Sequence, residues 1–160
     1  MSRLEELTEG LRGSLDVLTD GWQELWHKAR NALTRFTPSR TESSEIEPVP
    51  PKSSRWGLIS ADVRETNDTI EVQLEAPGMD KADFEIDLDG RHLAIHGTKH
   101  YESKRTEGRY HITERAYGSF ERVLPLPCDV EPGSAKYEAG VLSITLPKVH
   151  KGEARRIQVH

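Results

Sequence analysis

The sequence predicts an all-β protein: an antiparallel β-sandwich of the immunoglobulin-like kind, with a helical or disordered N-terminal arm and a short flexible C-terminal tail. Three observations lead there. From Trp56 onward, apolar and polar residues alternate with a period of two in one segment after another, the pattern of strands that bury a single face. Gly, Pro and Asn-Asp punctuation separates these segments at short intervals, as turns do in a sandwich. The 160 residues are 34% hydrophobic and 31% charged, which fills one core for a domain of about 100 residues and not a second.

Residues 1–36 form the arm. Leu4, Leu7, Leu11, Leu15, Leu18, Trp22, Leu25, Ala29, Leu33 and Phe36 recur at steps of three and four, so they share one stripe of an α-helix, and Trp26 widens it. Gly10, Gly13 and Gly21 each cost about 1 kcal/mol relative to Ala, which leaves that helix broken or marginal. A lone amphipathic helix must bury its stripe against the core, another subunit, a membrane surface or a client protein. Residues 37–55 carry Pro38, Pro48, Pro50 and Pro51 among serines and charges, a composition expected to stay extended as a linker. The domain boundary is expected near Trp56.

Within residues 56–147, Thr69 to Ala76 alternates without error. Phe84, Ile86 and Leu88 alternate again and run into Asp89-Gly90, a hairpin signal, with Leu93 and Ile95 continuing beyond it. Val141 to Leu146 makes another strand, closed by Pro147. Shorter strands are expected at Ile59 to Glu65, Tyr110 to Arg115, Phe120 to Leu124 and Ala135 to Glu138, eight in all. The tail, 148–160, is charged except for Ile157-Gln158-Val159, whose two branched aliphatics point the same way in an extended segment.

The charge balance excludes several functions. Twenty-two Lys and Arg against 27 Asp and Glu give a net charge of -5, opposite to the cationic surface a general nucleic-acid binder needs. Cys128 is the single cysteine, so neither an internal disulfide nor a cysteine-rich zinc site can form. The sequence contains no phosphate-cradling G-x-x-x-x-G-K-[ST] loop and no G-x-S-x-G elbow; the expectation is a protein that is not an enzyme and uses no cofactor. His92, His96 and His100 would stack on a helix. On a strand His92 and His96 lie about 13 Å apart, too far for one ion, so solvent-facing histidines are expected. Glu114, Arg115 and Arg122 read either as a surface salt bridge or as charges that pair across a dimer. Acids at Glu5 and Glu6 and the lack of a long apolar run place the chain, as an expectation, in a reducing cytoplasm. Glu5, Glu6, Glu9, Asp16 and Asp20 on the arm's polar face argue against an anionic membrane surface as partner.

Several segments occur together in the order of a known family. Ala76-Pro77-Gly78 is followed by Phe84-Glu85-Ile86 and Leu93-Ala94-Ile95-His96-Gly97. Then come Glu114-Arg115-Ala116-Tyr117-Gly118-Ser119-Phe120-Glu121-Arg122 and Leu124-Pro125-Leu126-Pro127. Ala135 to Leu142, an A-x-x-x-x-G-V-L segment, precedes Leu146-Pro147-Lys148 and the terminal I-x-V. The chain resembles the small heat-shock proteins, the α-crystallin family, of bacterial type, over about residues 56–147 and the tail. Ala139 stands where the family usually has Asn, which tolerates a left-handed turn better.

The resemblance implies an α-crystallin sandwich domain and an ATP-independent holding chaperone, assembled as a homo-oligomer of dimers and binding non-native client proteins. It implies a tail plug, Ile157 and Val159, seated in a groove formed by Phe84, Ile86, Ala135 and Tyr137. Strand exchange across the dimer would use Tyr110, His111, Ile112 and Arg115, placed beside a partner's first strand near Leu58 to Val63. Clients would meet the arm's stripe: Leu11, Leu15, Leu18, Trp22, Leu25, Trp26 and Phe36. Burying Ile157 and Val159 contributes about 1.5–3 kcal/mol each, so single plugs bind weakly and act together through effective concentration. The rival reading is a β-sandwich co-chaperone or adaptor that docks on one partner; a native mass of one chain would favour it.

Overall fold

The computed structural model describes residues 26, 29–40, 42–50, 53–102 and 107–150. Among them run nine strands: β1 (Leu33–Arg35), β2 (Trp56–Leu58), β3 (Ala61–Glu65), β4 (Thr69–Glu75), β5 (Phe84–Asp89), β6 (His92–Lys99), β7 (Gly118–Pro125), β8 (Ser134–Glu138) and β9 (Val141–Pro147). They make an antiparallel ribbon β1-β2, a four-stranded sheet β3-β4-β9-β8 and a three-stranded sheet β5-β6-β7.

The period-two pattern builds the core directly. Ile70, Val72 and Leu74 of β4 lie opposite Leu146, Ile144 and Leu142 of β9, and all six are buried. Leu93 and Ile95 of β6 with Phe120 and Leu124 of β7 face them from the other sheet. Gly97 is required beside Phe120, because a Cβ there would fall 2.4 Å from the ring. Ala139 and Gly140 join β8 to β9 as a two-residue turn, with φ of 50° and 81°. Both turn residues are left-handed, as a type I′ turn demands, so Ala139 itself adopts the conformation that Asn would adopt more easily.

Three expectations are corrected. The helical period does not carry through to Phe36: Leu33–Arg35 is β1, paired antiparallel with β2 through Leu33↔Leu58 and Arg35↔Trp56. Phe36 is accordingly not an exposed part of the stripe. It is 3% exposed, its ring 5.2 Å from that of Phe120, in the space that Gly57 leaves free. The physical reason is that this bulky residue gains more by entering the sandwich than a marginal helix offers. Thr37 and Ser119 then exchange two backbone hydrogen bonds of 2.8 Å, which Gly118 permits: a Cβ there would sit 2.0 Å from the Thr37 carbonyl oxygen.

The described residues of 37–55 pair with one another and, at Thr37 and Ser54, with the sandwich, and are not simply extended. Arg40 bridges Ile46, Ser54 bridges Ala116 in parallel, and Glu47 donates its backbone N–H to the Ser39 carbonyl at 2.9 Å. Backbone pairing, to which proline composition is a poor guide, holds the segment. Finally, Tyr110 to Arg115 is not a strand in the single chain; among the described residues no strand pairs with it.

Candidate functional site: a half-open seam and an unpaired edge

The two sheets meet edge to edge along one side. β5 is the outer strand of the three-stranded sheet and β8 the outer strand of the four-stranded one. Alternation along β5 turns Phe84, Ile86 and Leu88 inward and leaves Glu85, Asp87 and Asp89 in solvent. The three inward side chains are only half-buried although they pack on the core, and Tyr137 of β8 shares that state. Phe84 and Tyr137 bring the sheets together, with ring centroids 4.9 Å apart at 50°. The phenol of Tyr137 donates to the Ala76 carbonyl at 2.8 Å, which fixes the ring. Ala135 lies exposed beside it. Thus Phe84, Ile86 and Tyr137 line one apolar seam, with Ala135 on its rim.

A second feature is the edge of β3. That strand has β4 on one side and, among the described residues, no strand on the other; Val63 on it is 41% exposed, and Leu58 just before it 61%. The loop between β6 and β7 carries the most exposed large apolar side chain among the described residues, Ile112 at 75%, with Tyr110 also exposed. Tyr110 and Tyr101 join through their hydroxyls, and Tyr101 packs edge-on to Tyr117. Arg115 lies over the Tyr117 ring at 5.2 Å, a cation–π contact within the chain. Lys99 has its basicity lowered by burial and by the nearby Arg115 charge. Arg122 is similarly lowered by burial, and its buried Nε has no hydrogen-bond partner among the described residues.

The remaining sequence-derived positions divide simply. Trp26 is 58% exposed. Leu11, Leu15, Leu18, Trp22 and Leu25 lie outside the described residues, as do Ile157 and Val159. His92 is exposed, whereas His96 sits between Asp87 and Glu121 at 3.5 and 3.2 Å. Sequence reasoning missed Glu47, which reaches across to His100 and Tyr101; its only signal was an acid in a segment too proline-rich to suggest packing. No helix among the described residues is long and apolar enough to cross a membrane.

A seven-stranded antiparallel sandwich closed along one side by an apolar seam is the α-crystallin domain. The sequence model of the Hsp20/alpha crystallin family matches residues 62–160, and the chain belongs to that family. It is 37% identical over 100 residues to small heat shock protein C2 of Rickettsia felis, covering 61% of this chain and 65% of that protein's length. Over 101 residues it is 37% identical to heat shock protein 16 of Schizosaccharomyces pombe, covering 61% of this chain and 71% of that one. Among solved structures it resembles heat shock protein 16.0 from S. pombe, with a TM-score of 0.53, 35% identity, and coverage of 64% of this chain and 96% of that one. A small heat-shock protein from Xylella fastidiosa, described as having a distinct high order structure, gives a TM-score of 0.54 and 34% identity, covering 65% and 97%.

Proposed function

We propose that this protein is an ATP-independent holding chaperone that captures unfolding proteins on apolar surfaces and works as a dynamic oligomer built from dimers. The observation that carries the reading is the half-open seam of Phe84, Ile86 and Tyr137 in a chain whose C-terminal segment supplies an Ile157-Gln158-Val159 triplet. A groove that is apolar yet only half-covered accepts branched aliphatics by burial, a non-directional force. The nine residues from Lys148 to Arg156 reach about 30 Å when extended, enough to serve a neighbouring dimer. Weak individual plugs add up across an oligomer yet open singly.

Dimers form in this reading by strand addition. The β3 edge, which no strand among the described residues covers, offers backbone groups for pairing, and Tyr110, His111 and Ile112 of a second copy satisfy them, with Arg115 at the root of that loop. Non-native proteins are the clients, and the arm's stripe from Leu11 to Trp26 covers their exposed apolar patches. Family membership supports the chaperone role. The cytoplasm is the assigned compartment, in keeping with a lone cysteine.

The test is aggregation of a heated enzyme followed by light scattering. Suppression that is equal with and without nucleotide is the expected result; unimpeded aggregation at a several-fold excess of the protein overturns the proposal.

A further inference from the structure

His100 stands just beyond β6, where the loop toward β7 begins, and both of its ring nitrogens face carboxylates from different parts of the chain. Nδ1 is 3.1 Å from Glu47 Oε2 and Nε2 is 3.3 Å from Asp83 Oδ1. Glu47 belongs to the proline-rich strap of residues 42–50. Asp83 belongs to the 3-10 turn Lys81–Asp83 that leads into β5. The other oxygen of Glu47 accepts the Tyr101 backbone N–H at 3.0 Å. Both carboxylates are largely covered, with side-chain exposures of 15% and 18%, while the imidazole is 47% exposed.

A neutral imidazole has one N–H and one lone pair. In this arrangement the lone pair of a neutral ring would point at a carboxylate oxygen. Only the imidazolium donates to both partners at once. We propose that His100 is a pH-sensitive clasp: as the imidazolium it pins the strap, through Glu47, to the 3-10 turn and to the root of the β6–β7 loop, and on losing its proton it releases the strap.

The surroundings agree in sign. Other ionisable side chains bordering the same two depressions are Asp80 before the turn, Glu85 on β5, His96 on β6, and Glu102, Glu114 and Arg115 on the loop, with the phenols of Tyr101, Tyr110 and Tyr117. Four of these are acids and one is a fixed cation, so the local charge favours the protonated ring. Burial by itself pulls the basicity of His100 down, and it is outweighed by the Glu47 hydrogen bond and charge and by Asp83, leaving a net upward shift. Lys99, the next residue back along β6, borders the adjoining depression with Glu114 and Arg115, and its charge, like that of Arg115, works against the protonated ring.

The linkage follows from that direction. The clasp is fully present below the ordinary histidine range near pH 6.5 and is lost as pH rises through the raised value. The strap follows Phe36 in the chain, so its release loosens the connection between the arm and the sandwich while Phe36 stays anchored in the core. This inference does not depend on the chaperone reading.

The experiment uses the full chain. Exchange of the histidine C2 hydrogen, read by mass spectrometry, gives the His100 titration; amide exchange gives protection of Tyr101 and residues 45–47 over pH 5.5–8.5. Expected is a His100 midpoint above the ordinary value, with protection of these amides, corrected for intrinsic exchange, falling at least about fivefold through that midpoint. In His100→Gln the pH dependence should flatten, and Glu47→Gln should lower the His100 midpoint. Protection of Val72 in β4 monitors the intact fold in each variant. Amide protection that ignores pH in the unmodified protein, or that keeps its pH dependence in His100→Gln, overturns the clasp.

Discussion

Phe36 and Trp26 are both aromatic and both belong to one sequence stripe, yet their surroundings differ completely. Phe36 is enclosed by the sandwich and rests on Phe120, whereas Trp26 is largely in water. Phe36→Ala should therefore destabilise the fold by about 3–5 kcal/mol, the cost of removing a buried phenylalanine. Trp26→Ala should stay within about 0.5 kcal/mol. Urea unfolding midpoints at constant slope check both, and equal effects would mean that Phe36 is not part of the core. Tyr137 allows a finer measurement. Its hydroxyl meets the Ala76 carbonyl at 2.8 Å while its ring packs at a tilt against Phe84. Tyr137→Phe keeps the ring and should cost about 1 kcal/mol, leaving the seam in place.

At the scale of elements, the β8–β9 hairpin carries a local conflict between residue and conformation. A non-glycine residue at φ 50° meets a clash between Cβ and the carbonyl oxygen that Asn and Gly relieve. Ala139→Asn should raise the unfolding free energy by about 1 kcal/mol, seen as a higher denaturant midpoint; a lower midpoint would show that the alanine methyl is wanted there. The β1–β7 junction makes the opposite case. Gly118 combines φ 112° with contact against the Thr37 carbonyl. Gly118→Ala should separate Thr37 from Ser119 and expose the Thr37 and Ser119 amides to rapid hydrogen exchange.

For the whole molecule, the decisive property is how many copies associate. The seam and the β3 edge are separate surfaces; in the proposed function one takes tails and the other strands, so they should fail separately. Replacing Ile157 and Val159 by Ala should shrink the native particle toward dimers, because in the proposed assembly dimers hold together through the edge and not through the tail. Native mass spectrometry or light scattering reads the result, and an unchanged particle mass would remove the tail from the assembly mechanism.

The alternation from Thr69 to Glu75 and from Val141 to Leu146 was sufficient to place β4 and β9 and the faces they bury, because a period of two assigns each side chain to one face whatever lies around it. Phe84 and Ile86 were legible for the same reason, and the match of Tyr137 to the family segment put it near them. Only the tertiary structure decided that Phe36 leaves the arm for the core, that the proline-rich strap is tied down, and that Glu47 meets His100 across 53 positions of chain. Local pattern reports which face of an element is apolar. It carries no information about which distant segment has the hydrogen-bonding groups, or the missing Cβ of a Gly57 or Gly118, that make room for a contact.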